Sequence, residues 1–154
     1  MKFLQDDKRE QRRLEKILKH AAKHEHVAVG ILQDEPHDGG LFSMVDLAMV
    51  HEYGSRDQTI PARSFIRSTC DAKRKQHLDL IRQLQSKILR GRITAKHALT
   101  QLGEVVSKDM VETINNGIDP VLKRQTIKRK GSSKPLVDTG RLKGAITHEI
   151  RGGA

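Results

Sequence analysis

At 154 residues the chain is long enough to bury one real core but short for two domains, and 36% hydrophobic against 31% charged residues keeps that core modest. Aromatics make up 3%, with no Trp, which argues against a base-stacking nucleic-acid module and against an aromatic ligand pocket. A formal net charge of +10 points to polyanions or acidic protein surfaces as partners, with plain solubility an equal alternative.

Residues 3 to 24 read as an amphipathic helix at the periphery of the domain, with Leu14, Ile17, Leu18 and Ala21 at helical spacing among Lys and Arg. "HVAVGILQD", His26 to Asp34, is a short apolar run rich in β-branched residues and predicts a strand. Pro36, Gly39 and Gly40 then break the chain. "LFSMVDLAMVHEYG" predicts a helix capped by Ser43 and stopped by Gly54, followed by a loop in which Pro61 keeps Ile60 extended. A long helix is expected from Ser64 to Arg90, its stripe formed by Phe65, Ile66, Cys70, Ile81, Leu84 and Ile88. Gly91 ends it. A second runs from Thr94 to Asn115 with Leu99, Leu102, Val106, Met110 and Thr113 on one face, and the short link makes the two a hairpin.

Residues 119 to 137 have no clear period. Six basic residues and no acid lie between Lys123 and Lys134 (Lys123, Arg124, Lys128, Arg129, Lys130 and Lys134), so a basic mobile loop is expected. It is read as ordering against a partner protein or, failing that, touching DNA phosphates without sequence preference. Asp138 or Thr139 can cap a short helix over 140 to 144, and "AITHEI" alternates as a terminal strand. The order predicts a single α+β domain: a small antiparallel or mixed sheet packed on helices, including the long hairpin. Two strands make a thin sheet, so a third within "TIKRK", or completion by a neighbouring subunit, is expected.

Searches for chemistry come out against an enzyme. His20 and His24 share a helical face and His26 follows, but no further ligands or supporting shell are signalled, so neither a metal nor another cofactor is expected. "HEYGS" lacks the second His of a zinc-protease helix, and no nucleophile elbow or phosphate-cradling glycine loop is present. The acid pairs have no partner pattern for acid–base work. Cys70 is the only cysteine; without a disulfide partner or activating motif it is expected as a buried or half-buried structural residue. No stretch approaches the roughly 18 apolar residues of a membrane span, and the N-terminus is too polar for a signal peptide, so a soluble protein made in a cytoplasm is expected.

Two segments together carry a resemblance. The first holds Ala48, His51, Glu52, Tyr53 and Gly54, then Ile60, Pro61, Ala62, Arg63, Phe65, Ile66 and Arg67. The second holds Pro135, Leu136, Asp138, Thr139, Gly140, Leu142 and Ile146. In this order, with a helical spacer, they resemble the neck and tail-completion proteins of tailed bacteriophages, similar in pattern to Mu-like virion morphogenesis proteins. Ser64 departs from that pattern, which usually has Pro there, as does the Gly144–Ala145 pair, and the basic N-terminal helix lies outside it. The resemblance implies a structural virion protein at the head–tail junction, assembled in the host cytoplasm. It also implies a ring around the DNA channel, expected as a hexamer, meeting the tail tube on one side and the head connector on the other. The alternative is a basic, non-specific nucleic-acid-binding protein. The motif residues are expected to set shape: Gly54 by a left-handed turn, Phe65 by anchoring a helix, Arg63 and Arg67 by pairing with carboxylates such as Glu52 or Asp57, and His51, Glu52 and Arg63 by salt bridges within or between subunits.

Overall fold

A computed structural model describes residues 8–21, 24–33, 43–121 and 140–152. In chain order the elements are α1 (Lys8–Ala21), β1 (His26–Ile31), α2 (Met44–Tyr53), α3 (Ile66–Ala72), α4 (Arg74–Leu89), α5 (Ala95–Asn116), α6 (Arg141–Gly144) and β2 (Ile146–Arg151). The class is α+β, with a two-stranded antiparallel sheet among the described residues. The "TIKRK" segment, like residues 122–139 as a whole, lies outside them.

The alternation in the sequence sets the sheet's two faces. Val27, Val29 and Ile31 stand opposite Ile150, His148 and Ile146, while Ala28 and Gly30 stand opposite Glu149 and Thr147. The first set faces α5. Its close approach needs a glycine: a Cβ added at Gly103 would lie 2.5 Å from Cδ2 and 2.9 Å from Cβ of His148. Residue 103 therefore lets β2 lie directly on the helix backbone, at the cost of a residue with poor helix propensity.

The core beside this contact joins distant parts of the chain. Ala48 of α2, Phe65, Met110 and Ile114 of α5, Leu142 of α6 and Ile146 of β2 form one buried cluster, with Phe65 and Ile114 fully enclosed. Val29, Ile31, Val106 and Val111 pack around it.

The expected helix from 64 to 90 is two, α3 and α4, meeting at Lys73. Hydrogen bonds of helical spacing run through the junction, from Lys73 N–H to Thr69 O and from His77 N–H to Lys73 O, although Lys73 itself leaves the helical conformation at φ −102° and ψ 11°. Its stripe is shifted: Thr69 is buried and Cys70 is exposed, the reverse of the expectation for this cysteine. Thr69 earns the interior position because its hydroxyl is satisfied there, donating to Phe65 O at 2.6 Å and lying 2.7 Å from the Thr113 hydroxyl of α5. Thr94 caps α5 by accepting from His97 N–H, and Gly117 ends it. α3 and α4 together run antiparallel to α5, with Thr69 of α3, Lys73 at the junction and His77 of α4 meeting Thr113, Asp109 and Glu112.

At α1 the described chain departs from a simple amphipathic reading. Leu14 and Leu18 are 53% and 67% exposed, while Arg13 and Ile17 face the α4–α5 turn, where Arg13 donates to Leu89 O. No helix among the described residues is long and apolar enough to cross a membrane.

Candidate functional site

The first motif folds into a helix, a bonded loop and the start of a second helix. α2 begins at a reciprocal cap: Asp46 N–H donates to the Ser43 hydroxyl, and Ser43 N–H donates to the Asp46 carboxylate, both at 3.1 Å. It ends at Gly54, whose φ of 83° and ψ of 166° belong to a region open in practice to glycine alone. A Cβ there would also lie 3.0 Å from Ile60 O and 3.1 Å from Ala62 N. The loop that follows closes on itself. Ser55 N–H donates to Ile60 O, Ile60 N–H donates to the Ser55 hydroxyl, and Asp57 accepts from the Ser55 hydroxyl and from Thr59. Those bonds, the Ser55 hydroxyl first, hold the Asp57 carboxyl below its ordinary value. Asp57 is thus committed within its own loop and is not the partner of Arg63 or Arg67 that the sequence offered.

The returning strand of chain brings Arg63 N–H to His51 O at 2.6 Å. This sets Glu52 directly against the first turn of α3. Glu52 is 5% exposed. Its Oε1 accepts from the Ser64 hydroxyl and from Arg67 N–H, and its Oε2 from Ile66 N–H. Phe65, at the N-cap position, offers no side-chain cap of its own, so the orphan N–H groups of α3 are satisfied by a carboxylate from the preceding helix. Burial alone would raise the Glu52 carboxyl. The Ser64 hydroxyl and the backbone N–H groups of Ile66, Arg67 and Phe65 outweigh it and hold the group below its ordinary value. Ser64, where the resembling pattern has Pro, supplies a bond that proline cannot make.

Arg63 and Arg67 behave differently from the expected ion pairs. Arg67 meets Glu52 through its backbone N–H, and its side chain is exposed. Arg63 is 6% exposed and donates from Nε to Pro120 O at 2.7 Å and from a terminal nitrogen to Val121 O at 3.4 Å. It ties the end of α5 to the loop after α2, using two carbonyls as its acceptors. Burial lowers its pKa, though a guanidinium stays charged regardless.

Of the other motif residues, Phe65 meets Leu142 and Ile146 in the core, so the two signature segments share one interior. Gly140 itself occupies the N-cap of α6, with a left-handed φ of 78°; Asp138 and Thr139 lie outside the described residues, as do Lys123, Arg124, Lys128, Arg129, Lys130 and Lys134. Tyr53 is 65% exposed and Met49, one turn earlier, 55%. Pro61 is exposed and His51 half-buried.

Sequence reading missed the polar seam between α4 and α5. Lys73 Nζ lies 2.8 Å from both Asp109 and Glu112, and His77 Nε2 lies 2.8 Å from Asp109. Burial pushes the Asp109 carboxyl up, but Lys73 and His77 more than reverse it; Lys73 is raised in turn, by Asp109 first. The spacing of Lys73 and His77 one turn apart was its only local signal. Cys70 is exposed, and such desolvation as it meets, with Asp71 and Glu52 nearby, raises its thiol and disfavours the reactive thiolate. Among the described residues no three His, Cys, Asp or Glu side chains converge as a metal site would require. A carboxylate aimed at backbone donors and held below its ordinary pKa is a weak base, and the chemistry of the Glu52 region is that of a brace. The chain matches no protein-family model, no curated protein and no solved structure.

Proposed function

We propose that this protein is a structural component of a tailed-phage virion, acting at the head–tail junction to complete or terminate the tail and join it to the head through ring assembly. The observation that carries the reading is the convergence of its two signature segments. Ala48 and Phe65 of the first and Leu142 and Ile146 of the second line one core, and Glu52 and Arg63 bond to backbone around it. Residues that look reactive in the sequence are spent on holding a shape, which is what an assembly protein requires.

The same region offers a contact surface. Met49 and Tyr53 lie one turn apart on the outer face of α2, both more than half exposed, next to a loop stiffened by its own hydrogen bonds. A rigid apolar pair of this kind suits the head-to-tail interfaces that close rings, in which two different patches of each subunit meet. The reading implies self-association and contact with tail-tube and connector proteins.

The test is electron microscopy of particles assembled without the protein. Full heads separate from finished tails are expected. Normal joined, infectious particles would refute the reading. Tyr53→Glu, which leaves the core untouched, is expected to reproduce the unjoined particles.

A further inference from the structure

Helix α1 turns most of its apolar side chains away from its own fold. Leu14 and Leu18, one turn apart, are both more than half exposed, while Arg13 and Ile17 face the α4–α5 turn. Arg13 fixes that orientation by donating to Leu89 O. Two exposed leucines on one face of a helix are a surface for apolar contact. The chain's own hairpin does not supply it, because Ile17 and not the leucines is turned toward it.

A matching surface lies on the hairpin itself. Between α4 and α5 is a cleft of about 340 Å³, walled by Ile81, Leu84 and Ile88 on one side and Leu99 and Leu102 on the other. Leu84 is buried and the other four are half-buried. None of the described residues of α1 lines this cleft. Its one charged wall among the described residues is Glu25, just before β1, which is half-buried and has no hydrogen bond or ion pair among them. A half-buried carboxylate without a partner, beside apolar side chains, favours an apolar occupant that brings a cation.

Charge decides between the ways of covering the leucines. α1 carries six basic and two acidic residues, a net positive charge whatever pairs form within it. Packing the leucine faces of two copies on each other would set two such helices side by side, and they would repel. Seating the face on the cleft instead brings a cationic helix to Glu25. Lys19 is exposed and adjacent to Leu18, and its flexible stem lets the ammonium reach past the leucines. We propose that Leu14 and Leu18 of one copy seat in the α4–α5 cleft of a second copy, with Lys19 meeting Glu25. Two different patches meet, so the contact is heterologous and can propagate from copy to copy. The proposal rests on the self-association in the reading above and adds its surfaces, none of which belongs to the motif segments.

Sedimentation equilibrium of the full chain up to millimolar concentration tests it. The wild type is expected to self-associate. Leu14→Ser with Leu18→Ser should weaken association by about tenfold or more. Glu25→Lys should also weaken it, and adding Lys19→Glu to the same chain should restore much of the loss. The decisive arm mixes the leucine double variant with the Glu25→Lys variant. The first keeps an intact cleft and the second an intact α1, so the mixture should form a dimer that neither forms alone, and stop there. Circular dichroism checks that the helices are retained, and Leu99→Ser disables the cleft in a second way. A monomer at every concentration, association indifferent to the leucine changes, or no dimer in the mixture would each overturn the proposal. Association lost in Tyr53→Glu but kept in the leucine variant would overturn it and leave the head–tail reading standing. The expected pattern, together with normally joined particles made without the protein, would remove that reading and leave the cleft contact.

Discussion

The two ends of this molecule use charge in opposite ways. Around Glu52 and Arg63 the charged groups are nearly buried, and they bond to backbone and hydroxyl groups rather than to one another. Around α1 the charged groups lie at the surface, and Arg9, Arg12, Arg13, Lys16 and Arg90 border an open groove. The difference teaches which charges the fold needs. A buried ion must be matched atom by atom because unmatched burial costs several kcal/mol, whereas an exposed one contributes little to stability.

Removing Glu52 is the strongest way to break this contrast. Glu52→Ala leaves the Ser64 hydroxyl and the N–H groups of Ile66 and Arg67 without their acceptor, an expected loss of about 3 kcal/mol in urea unfolding. Glu52→Gln separates the bonds. Its carbonyl can replace Oε1 and keep two donors, while its amide then faces Ile66 N–H, so about 1–2 kcal/mol is expected. The pH dependence has a definite sign. The folded carboxyl titrates below its ordinary 4.5, so its contribution is complete above that value and is lost as pH falls through the folded value. The wild-type urea midpoint should decline on acidification below about 4.5, and the difference between wild type and Glu52→Gln should shrink with it. A difference that stayed constant with pH would mean that the carboxylate's charge is not what holds α3.

Gly54 tests the rigid loop that delivers Arg63 and Ser64 to this site. Gly54→Ala must adopt φ 83° and bring its Cβ to 3.0 Å from Ile60 O, for an expected loss of about 2 kcal/mol. Gly117→Ala is the control: its φ is 89° but nothing lies within 4 Å of an added Cβ. The thermal midpoint should fall further for position 54 than for 117, and equal falls would show that backbone strain alone, without the Ile60 contact, sets the cost.

What could be read from the sequence divides along the same line. Local signals were legible: Ser43 and Gly54 bound α2, Thr94 and Gly117 bound α5, and the alternation of Ile146, His148 and Ile150 sets the face of β2. The fold class followed from these. Bonds across the fold left no such mark. Glu52 reaches Ile66 and Arg67 because Arg63 N–H is bonded to His51 O, and Arg63 finds Pro120 and Val121 because Phe65 and Ile114 share a core. Charge complementarity in the sequence favoured Arg63 with Glu52 or Asp57; packing geometry assigned them to backbone and hydroxyl groups instead. Thr69 displaced Cys70 from the interior for a related reason, since the Thr113 hydroxyl opposite is visible only once α3 and α5 are paired.

The seam along α5 is intermediate between the two ends, being partly exposed and built on the Lys73 ion pairs with Asp109 and Glu112. Asp109→Asn weakens its bonds to Lys73 and His77, and solvent screening keeps the expected loss to about 1 kcal/mol. Because the folded Asp109 carboxyl also lies below its ordinary 3.8, this contribution is present above that value and fades as pH falls through the folded value. High salt should erase most of the difference in urea midpoint between Asp109→Asn and wild type while leaving that of Glu52→Ala almost intact, since screening reaches partly exposed pairs far more than buried ones.

The smallest expected effect belongs to the basic groove. Arg12 is exposed and lies among cations on α1, opposite Arg90. Arg12→Ala removes one like charge and gains helix propensity, since Ala is the best helix former, so its unfolding free energy should stay within about 0.5 kcal/mol of wild type. The direction matters more than the size. A slight gain at low salt that vanishes at high salt is the signature of relieved repulsion, and it would mean that the fold tolerates this cluster without requiring it. A loss comparable to Gly54→Ala would instead make Arg12 part of the fold's own bonding and remove the distinction between the two ends.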